Sequence, residues 1–159
     1  MNQPSELDRQ IIISLNQDAR LSSAELARQL DVPERTVRYR IARLIEEDVI
    51  RPVAVVNPAA FGYNLVIDVF CEIDTARQTE IVTLIQAMPE VSYIAFATGD
   101  QDISFQALFK NSEAMHHFIT ERLHRIPGIG RTRTVLVPRI VKDTHRWLPP
   151  KEDFEPDSE

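Results

Sequence analysis

Between Arg35 and Arg43 the chain carries four arginines, Arg35, Arg38, Arg40 and Arg43, with Thr36 and Tyr39 among them and no acidic residue. A guanidinium is a permanently charged, planar fork that holds phosphate or a guanine edge through paired donors. Clustered on one helix, such groups suit the backbone and major groove of double-stranded DNA. Val37, Ile41, Leu44 and Ile45 recur at helical spacing through the same stretch, which predicts a helix from about Glu34 to Glu47 with that set facing inward. At about 100° per residue, with Val37 toward the core, Arg35, Tyr39 and Ala42 point away. Arg38 and Arg43 flank this outer face, and Thr36 lies beyond Arg43. A groove-reading helix needs long donors near its start and a small residue where it nears the groove floor. Arg35, Arg38 and Tyr39 meet the first need and Ala42 the second, while Thr36 and Arg43 suit phosphate oxygens. Arg40 lies nearer the core side, as either a structural partner or a DNA contact. The alternative for the cluster is a solvated helix whose arginines pair with nearby acids.

The elements before this helix are those that would position it. Ser5 and Asp8 have capping-box spacing, and Leu7, Ile11 and Leu15 recur every four residues, so a helix is expected from about 6 to 16. Ser22 and Glu25 form a second capping box, and Leu26, Ala27 and Leu30 mark a short second helix. Asp31-Val-Pro33 separates it from the arginine helix. Asp31 stands where such turns often hold Gly, and Asp tolerates a left-handed backbone. The strand formers Val49, Ile50, Val53, Val55 and Val56 follow, predicting a wing. Residues 1–52 thus read as a winged helix-turn-helix and 53–63 as a linker strand.

Residues 64–143 alternate strand and helix signals. Leu65, Ile67, Val69, Cys71 and Ile73 occupy every second position of one strand. Ile81, Leu84, Ile85 and Met88 have helical spacing, as do Met115, Phe118, Ile119 and Leu123. Val91–Thr98 and Ile103–Phe109 are strands around a Gly99–Asp102 hairpin turn, and Thr132–Val141 is the last strand. Pro138 cannot donate to a ladder, so that strand is expected at a sheet edge. The order is βαββαβ, the ferredoxin-like plan, so the fold class is α+β. Residues 144–159, rich in proline and acid, read as a solvated tail.

The net charge of −6 argues against nucleic acid until it is resolved along the chain. Residues 1–52 hold eight Arg against nine Asp and Glu, whereas residues 143–159 hold six acids and two bases. The local arginine patch therefore matters more to phosphate than the sum. One cysteine excludes an internal disulfide framework, and no apolar run suits a bilayer span or an export signal. A cytoplasmic protein with no membrane partner is expected.

Leu7-Asp8 with Ile11–Leu15, Asp18-Ala-Arg20, Leu26-Ala27, Thr36-Val37, Arg40–Leu44, Val49-Ile50, Gly99–Asp102, Thr132-Arg-Thr134 and Val141-Lys142 together resemble the Lrp/AsnC family of feast/famine regulators. The resemblance runs from Leu7 to Lys142. It departs at Pro33, where the family usually has a Ser N-cap, and at Asp48, where Gly is common. It implies a DNA-binding transcriptional regulator whose second domain pairs through its sheet into homodimers, often tetramers of dimers. It also implies an amino-acid-like effector, with Gly99, Asp100 and Asp102 of one subunit meeting Thr132 and Thr134 at an interface. Asp102 is the expected ammonium partner, since it leads directly into a strand. The alternative is a plain hairpin turn and threonines chosen for strand propensity.

Catalysis is the rival class. Some siroheme decarboxylases resemble the same two-domain plan, with a His near the second strand of the effector-like domain, but Val91–Thr98 holds none. His116, His117, His124 and His145 are expected on the surface, without a metal, and Cys71 as a buried, inert thiol. No metal-protease, paired-cysteine or phosphate-loop motif occurs. A non-enzyme without cofactor is expected.

Overall fold

The computed structural model describes residues 3–156. Three helices open the chain: α1 (Glu6–Gln17), α2 (Ser23–Leu30) and α3 (Glu34–Glu46). Both expected capping boxes form, so each of the first two helices has orphan N–H groups satisfied by its own sequence. Ile11, Leu26, Ala27, Val37 and Leu44 make a buried cluster, with Leu7, Leu15, Leu30, Ile41 and Ile50 packed against it. Asp31 ends α2 in the left-handed region at φ 54°, turning the chain into α3 within three residues. Asp48 repeats the device at the end of α3, with φ 57°. There Val49 N–H reaches Leu44 O at 2.9 Å and Asp48 N–H reaches Ile45 O at 3.1 Å, a complete Schellman closure. Pro33 is the N-cap of α3 and gives it no side-chain cap.

The expected wing strands and linker strand are corrected. Residues 51–57 adopt no strand, and Pro58–Phe61 is a 3-10 turn. Val53, Val55 and Val56 are exposed. Strand propensity needs a neighbouring edge to become a strand, and no strand among the described residues pairs with this segment.

The second unit contains β1 (Leu65–Ile73), α4 (Gln78–Gln86), β2 (Val91–Phe96), β3 (Ile103–Phe109), α5 (Ser112–His117) and β4 (Ile129–Val137). The sheet is antiparallel throughout, in the order β2-β3-β1-β4, which is the ferredoxin-like arrangement. β4 is an edge strand as Pro138 requires, and it ends at the residue before that proline. It begins at Ile129, three residues earlier than its composition suggests. The alternating residues Ile67, Val69, Cys71 and Ile73 pack with Ile81, Ile85, Phe105, Phe118 and Leu123 on the helical side of the sheet. Leu84 is not among them; it is exposed on the outer side of α4. After His117 the helical run changes to a π turn, Phe118–Arg122, and then a 3-10 turn, Leu123–Arg125. Phe118 and Leu123 are both buried although five residues apart, a spacing that an i→i+5 turn brings to one face and an α-helix does not.

Backbone contacts divide the chain into a unit that runs to Val55 and resumes at Val141, and a unit from Val56 to Ile140. The solvated-tail expectation is therefore corrected for residues 144–156: they dock on the first unit. Residues 157–159 lie outside the described residues.

Candidate nucleic-acid interface and effector turn

α3 presents two different sides. Arg35, Arg38, Tyr39 and Ala42 are all exposed, Tyr39 by 65%. Arg38 pairs with Glu34 one turn earlier. That exposed i,i+4 pair is worth only about 0.3–0.5 kcal/mol, so a phosphate or base edge can replace it at little cost. Arg35 has no acidic side chain within ion-pair distance among the described residues. Thr36 is half-buried beside the first turn, its N–H bonded to Pro33 O at 2.9 Å.

The other side is built around Asp8, which is completely buried. Asp8 Oδ2 accepts from Ser5 N–H at 2.9 Å, from Arg40 Nη1 at 3.1 Å and from Arg43 Nη2 at 2.5 Å. Arg40 Nη1 also reaches Ser5 Oγ at 3.1 Å. One carboxylate thus closes the cap of α1 and ties that helix to α3 through two guanidinium groups, each about three-quarters buried. The expectation for Arg43 as a phosphate donor is corrected: its side chain turns inward to Asp8. Arg40 resolves to the structural alternative. Sequence reasoning identified Asp8 as a capping residue and missed its ion pairs. The available signal was an acid at the third helical position of α1, with two arginines on the core-proximal flank of α3.

In the second unit, Gly99 has φ 139°, in the left-handed region that favours glycine, and it is exposed together with Asp100. Asp102 is engaged elsewhere than expected. Its Oδ2 accepts from Ile73 N–H at 2.7 Å, its N–H donates to Cys71 O at 2.9 Å, and its carbonyl accepts from Ala97 N–H at 2.8 Å. It fastens the hairpin to the end of β1, where the ladder with β4 slips between Cys71 and Ile73. Thr132 Oγ1 lies 2.9 Å from His124 Nε2, and Thr134 is exposed on β4. Cys71 stands opposite Ile103 on one side and Thr132 on the other. The Asp102 and Thr132 backbones are therefore about two strand spacings apart, about 10 Å, and one chain does not bring them together.

Cys71 is buried, and burial pushes its thiol up to about 12. Among the described residues no group of three or more His, Cys, Asp or Glu side chains could hold a metal ion, and no helix is long and apolar enough to cross a membrane.

Two family models match this chain in the order the fold requires. A winged helix-turn-helix DNA-binding model covers residues 4–51, and the Lrp/AsnC ligand binding domain covers residues 68–147. The chain belongs to the Lrp/AsnC family. It is a DNA-binding transcriptional regulator of that family. An uncharacterised HTH-type transcriptional regulator of Pyrococcus horikoshii is 36% identical over 138 residues, covering 86% of this chain and 87% of its own length. The regulator FL11 of Pyrococcus furiosus is 31% identical over 140 residues, covering 87% of this chain and 92% of its own. Among solved structures, Escherichia coli AsnC superposes with a TM-score of 0.82 at 23% identity, over 89% of this chain and 97% of AsnC. A Neisseria meningitidis transcriptional regulator in complex with L-Met superposes with a TM-score of 0.86 at 22% identity, over 93% and 97%.

Proposed function

We propose that this regulator binds its operator as a twofold homodimer, reading base edges with Arg35, Arg38 and Tyr39 and gripping phosphate through Thr36. The observation that carries this reading is the outward face of α3: exposed donors in its first half, then Ala42 where the helix must approach the groove floor. Two such helices read half-sites about one turn of DNA apart. The sheet supplies the dimer surface. Its helix-free face carries Val66, Phe70, Leu108 and Val135, with Arg133 stacked 4.5 Å over the Phe70 ring. A second copy of the same face is the self-complementary partner. The protein acts without catalysis, and its DNA partner makes the cytoplasm its place of work.

The effector is an amino acid or a close relative of one. A neighbour of the same fold is a complex with L-Met, and the Gly99-Asp100 turn leaves an uncommitted carboxylate for an ammonium. Asp100 replaces Asp102 as the proposed ammonium partner, because Asp102 is already bonded to β1. Thr132 and Thr134 of a neighbouring subunit are the proposed carboxylate donors.

Fluorescence anisotropy on an operator selected from the source genome tests the DNA reading; normal binding by both Arg35→Ala and Arg38→Ala would sink it. Light scattering tests assembly, and an 18.2 kDa monomer at micromolar concentration refutes the dimer. Calorimetry across the amino acids, methionine included, tests the effector. No binding at millimolar concentration, or equal binding by Asp100→Asn, refutes the site.

A further inference from the structure

The family match ends at residue 147, yet the chain beyond it is bonded to the DNA-binding unit. Glu6 N–H donates to Glu155 O at 2.8 Å, and Glu155 N–H donates to Pro4 O at 2.9 Å, a parallel bridge between Ser5 and Glu155. Gln3 Nε2 reaches Asp153 O at 2.7 Å, and at the far end of α1 Asn16 Nδ2 reaches His145 O at 2.9 Å. The segment therefore runs back along the whole of α1. Leu148, Pro149 and Phe154 are half-buried within a stretch otherwise rich in charge.

The geometry of α1 shows which side is covered. Glu6 and Ile13 are seven residues apart and share a face to within about 20°, and Asn16 lies about 60° from Ile13. Ile11, the core residue, is about 200° from Ile13, on the opposite side. Ile13 is nonetheless half-buried. A segment joined to Glu6 at one end of that face and to Asn16 at the other accounts for its cover. Glu6 is also the first residue of α1, where an N–H has no partner inside the helix; Glu155 O supplies the missing acceptor.

We propose that residues 143–156 are a strap that completes the DNA-binding unit. By pairing with Pro4–Glu6 it fixes the first turn of α1. Ser5 and Asp8 in that turn hold Arg40 and Arg43, so the strap also steadies the recognition helix. Because it continues from β4, it gives the chain a second covalent connection between its two units, beside the segment that follows α3.

Hydrogen exchange on the full chain tests this, comparing the natural protein with Glu155→Pro, which deletes the N–H that Pro4 O accepts. The Glu6 amide is expected to be slow in the natural protein and at least tenfold faster in the variant. The first turn of α1 and the amides around Arg40 and Arg43 should follow, while β1 and β3 do not change. A Glu6 amide that exchanges at the free-peptide rate, or is indifferent to Glu155→Pro, overturns the proposal. A second variant, Gln3→Cys with Asp153→Cys, asks whose strap it is, with the buried Cys71 left in place. Oxidation to a linked single chain on a denaturing gel supports the strap. No link, or links only between chains, overturns it.

Discussion

Arg35 and Arg38 sit on the same helix as Arg40 and Arg43, within nine residues, and have opposite surroundings. The first pair is exposed; the second converges on the buried carboxylate of Asp8. Residue type and helical repeat are shared, so neither decides the role. What decides it is the neighbour: α1 delivers an acid to one flank of α3 and nothing to the other. A guanidinium within reach of a buried carboxylate swings to it, because an unpaired charge in the interior is far more costly than a bent side chain. The two pairs are also complementary. On the proposed reading, the outward donors of α3 meet base edges in register only if the helix is held rigidly, and the inward pair ties it to α1.

The comparison breaks most sharply at Asp8. Asp8→Ala removes the carboxylate half of the α1 capping box, leaving Ser5 as the N-cap, and takes from two largely buried guanidinium groups the carboxylate they share. Breaking a fully buried pair costs about 3–5 kcal/mol; with the arginines still about one-quarter exposed, about 2–4 kcal/mol is expected for the first unit. Urea denaturation of the full chain, followed by helical signal, measures it. A loss below about 1 kcal/mol would mean that the arginines find solvent easily and the anchor is ornamental. The outward pair should behave in the reverse manner. Arg35→Ala or Arg38→Ala should leave stability within about 0.5 kcal/mol yet cost about 1–3 kcal/mol of operator affinity, with relaxed preference at one base. Anisotropy titrations on the selected operator and on single-base variants read both quantities. Equal losses on all sequences would reassign that arginine to phosphate.

The sequence resolves these roles only in part, for a physical reason. A helical projection gives the direction of each Cβ. It put Val37 and Leu44 inside and Arg35, Tyr39 and Ala42 outside, as found, but it also put Ile45 inside, and that residue is exposed. It says nothing of where a side chain six atoms long ends, and so Arg43 was expected to face phosphate. Local signals were reliable at both capping boxes, the left-handed Asp31, the alternating face of β1 and the edge position of β4. They fail where the cause is remote. The docking of Glu155 on Glu6 spans about 150 residues and leaves no periodicity, only Trp147, Leu148 and Phe154 in a tail otherwise of prolines and polar residues. The valines at 53, 55 and 56 carry strand propensity, but no strand edge among the described residues pairs with them.

The hairpin of the second unit contains the same division in miniature, one carboxylate outward at Asp100 and one spent on the backbone at Asp102. Asp102→Ala orphans the N–H of Ile73, a residue 9% exposed, and should cost about 1–2 kcal/mol. Asp100→Asn should leave thermal stability unchanged. Parallel melts separate the two, and they also decide how effector data are interpreted. Lost binding in Asp102→Ala reflects a displaced turn, whereas lost binding in Asp100→Asn, with an unchanged melt, reflects a lost ammonium partner. A melt for Asp102→Ala that matches the natural protein would return Asp102 to candidacy as a ligand residue.

The smallest expected effect tests the turn that aims α3. Asp31 holds φ 54°, a conformation that costs an L-residue up to about 1–2 kcal/mol, less for Asp than for most. Its contribution to closing α2 is a backbone bond, Asp31 N–H to Ala27 O, which any residue can make. Asp31→Gly therefore relieves strain without losing that bond, but it also frees the unfolded chain, an opposing term of about 0.5–1 kcal/mol. The net gain should be about 0.5 kcal/mol, a rise of about 2–4 °C in the Tm of the first unit melting by itself. Asp31→Ala keeps the strain and discards the tolerance of Asp for it, so its Tm should fall. The ordering Gly above Asp above Ala is the diagnostic result. If Gly melts below Asp, the Asp31 side chain stabilises the turn by a contact of its own, and the placement of the recognition helix depends on this residue's chemistry rather than on its backbone angle.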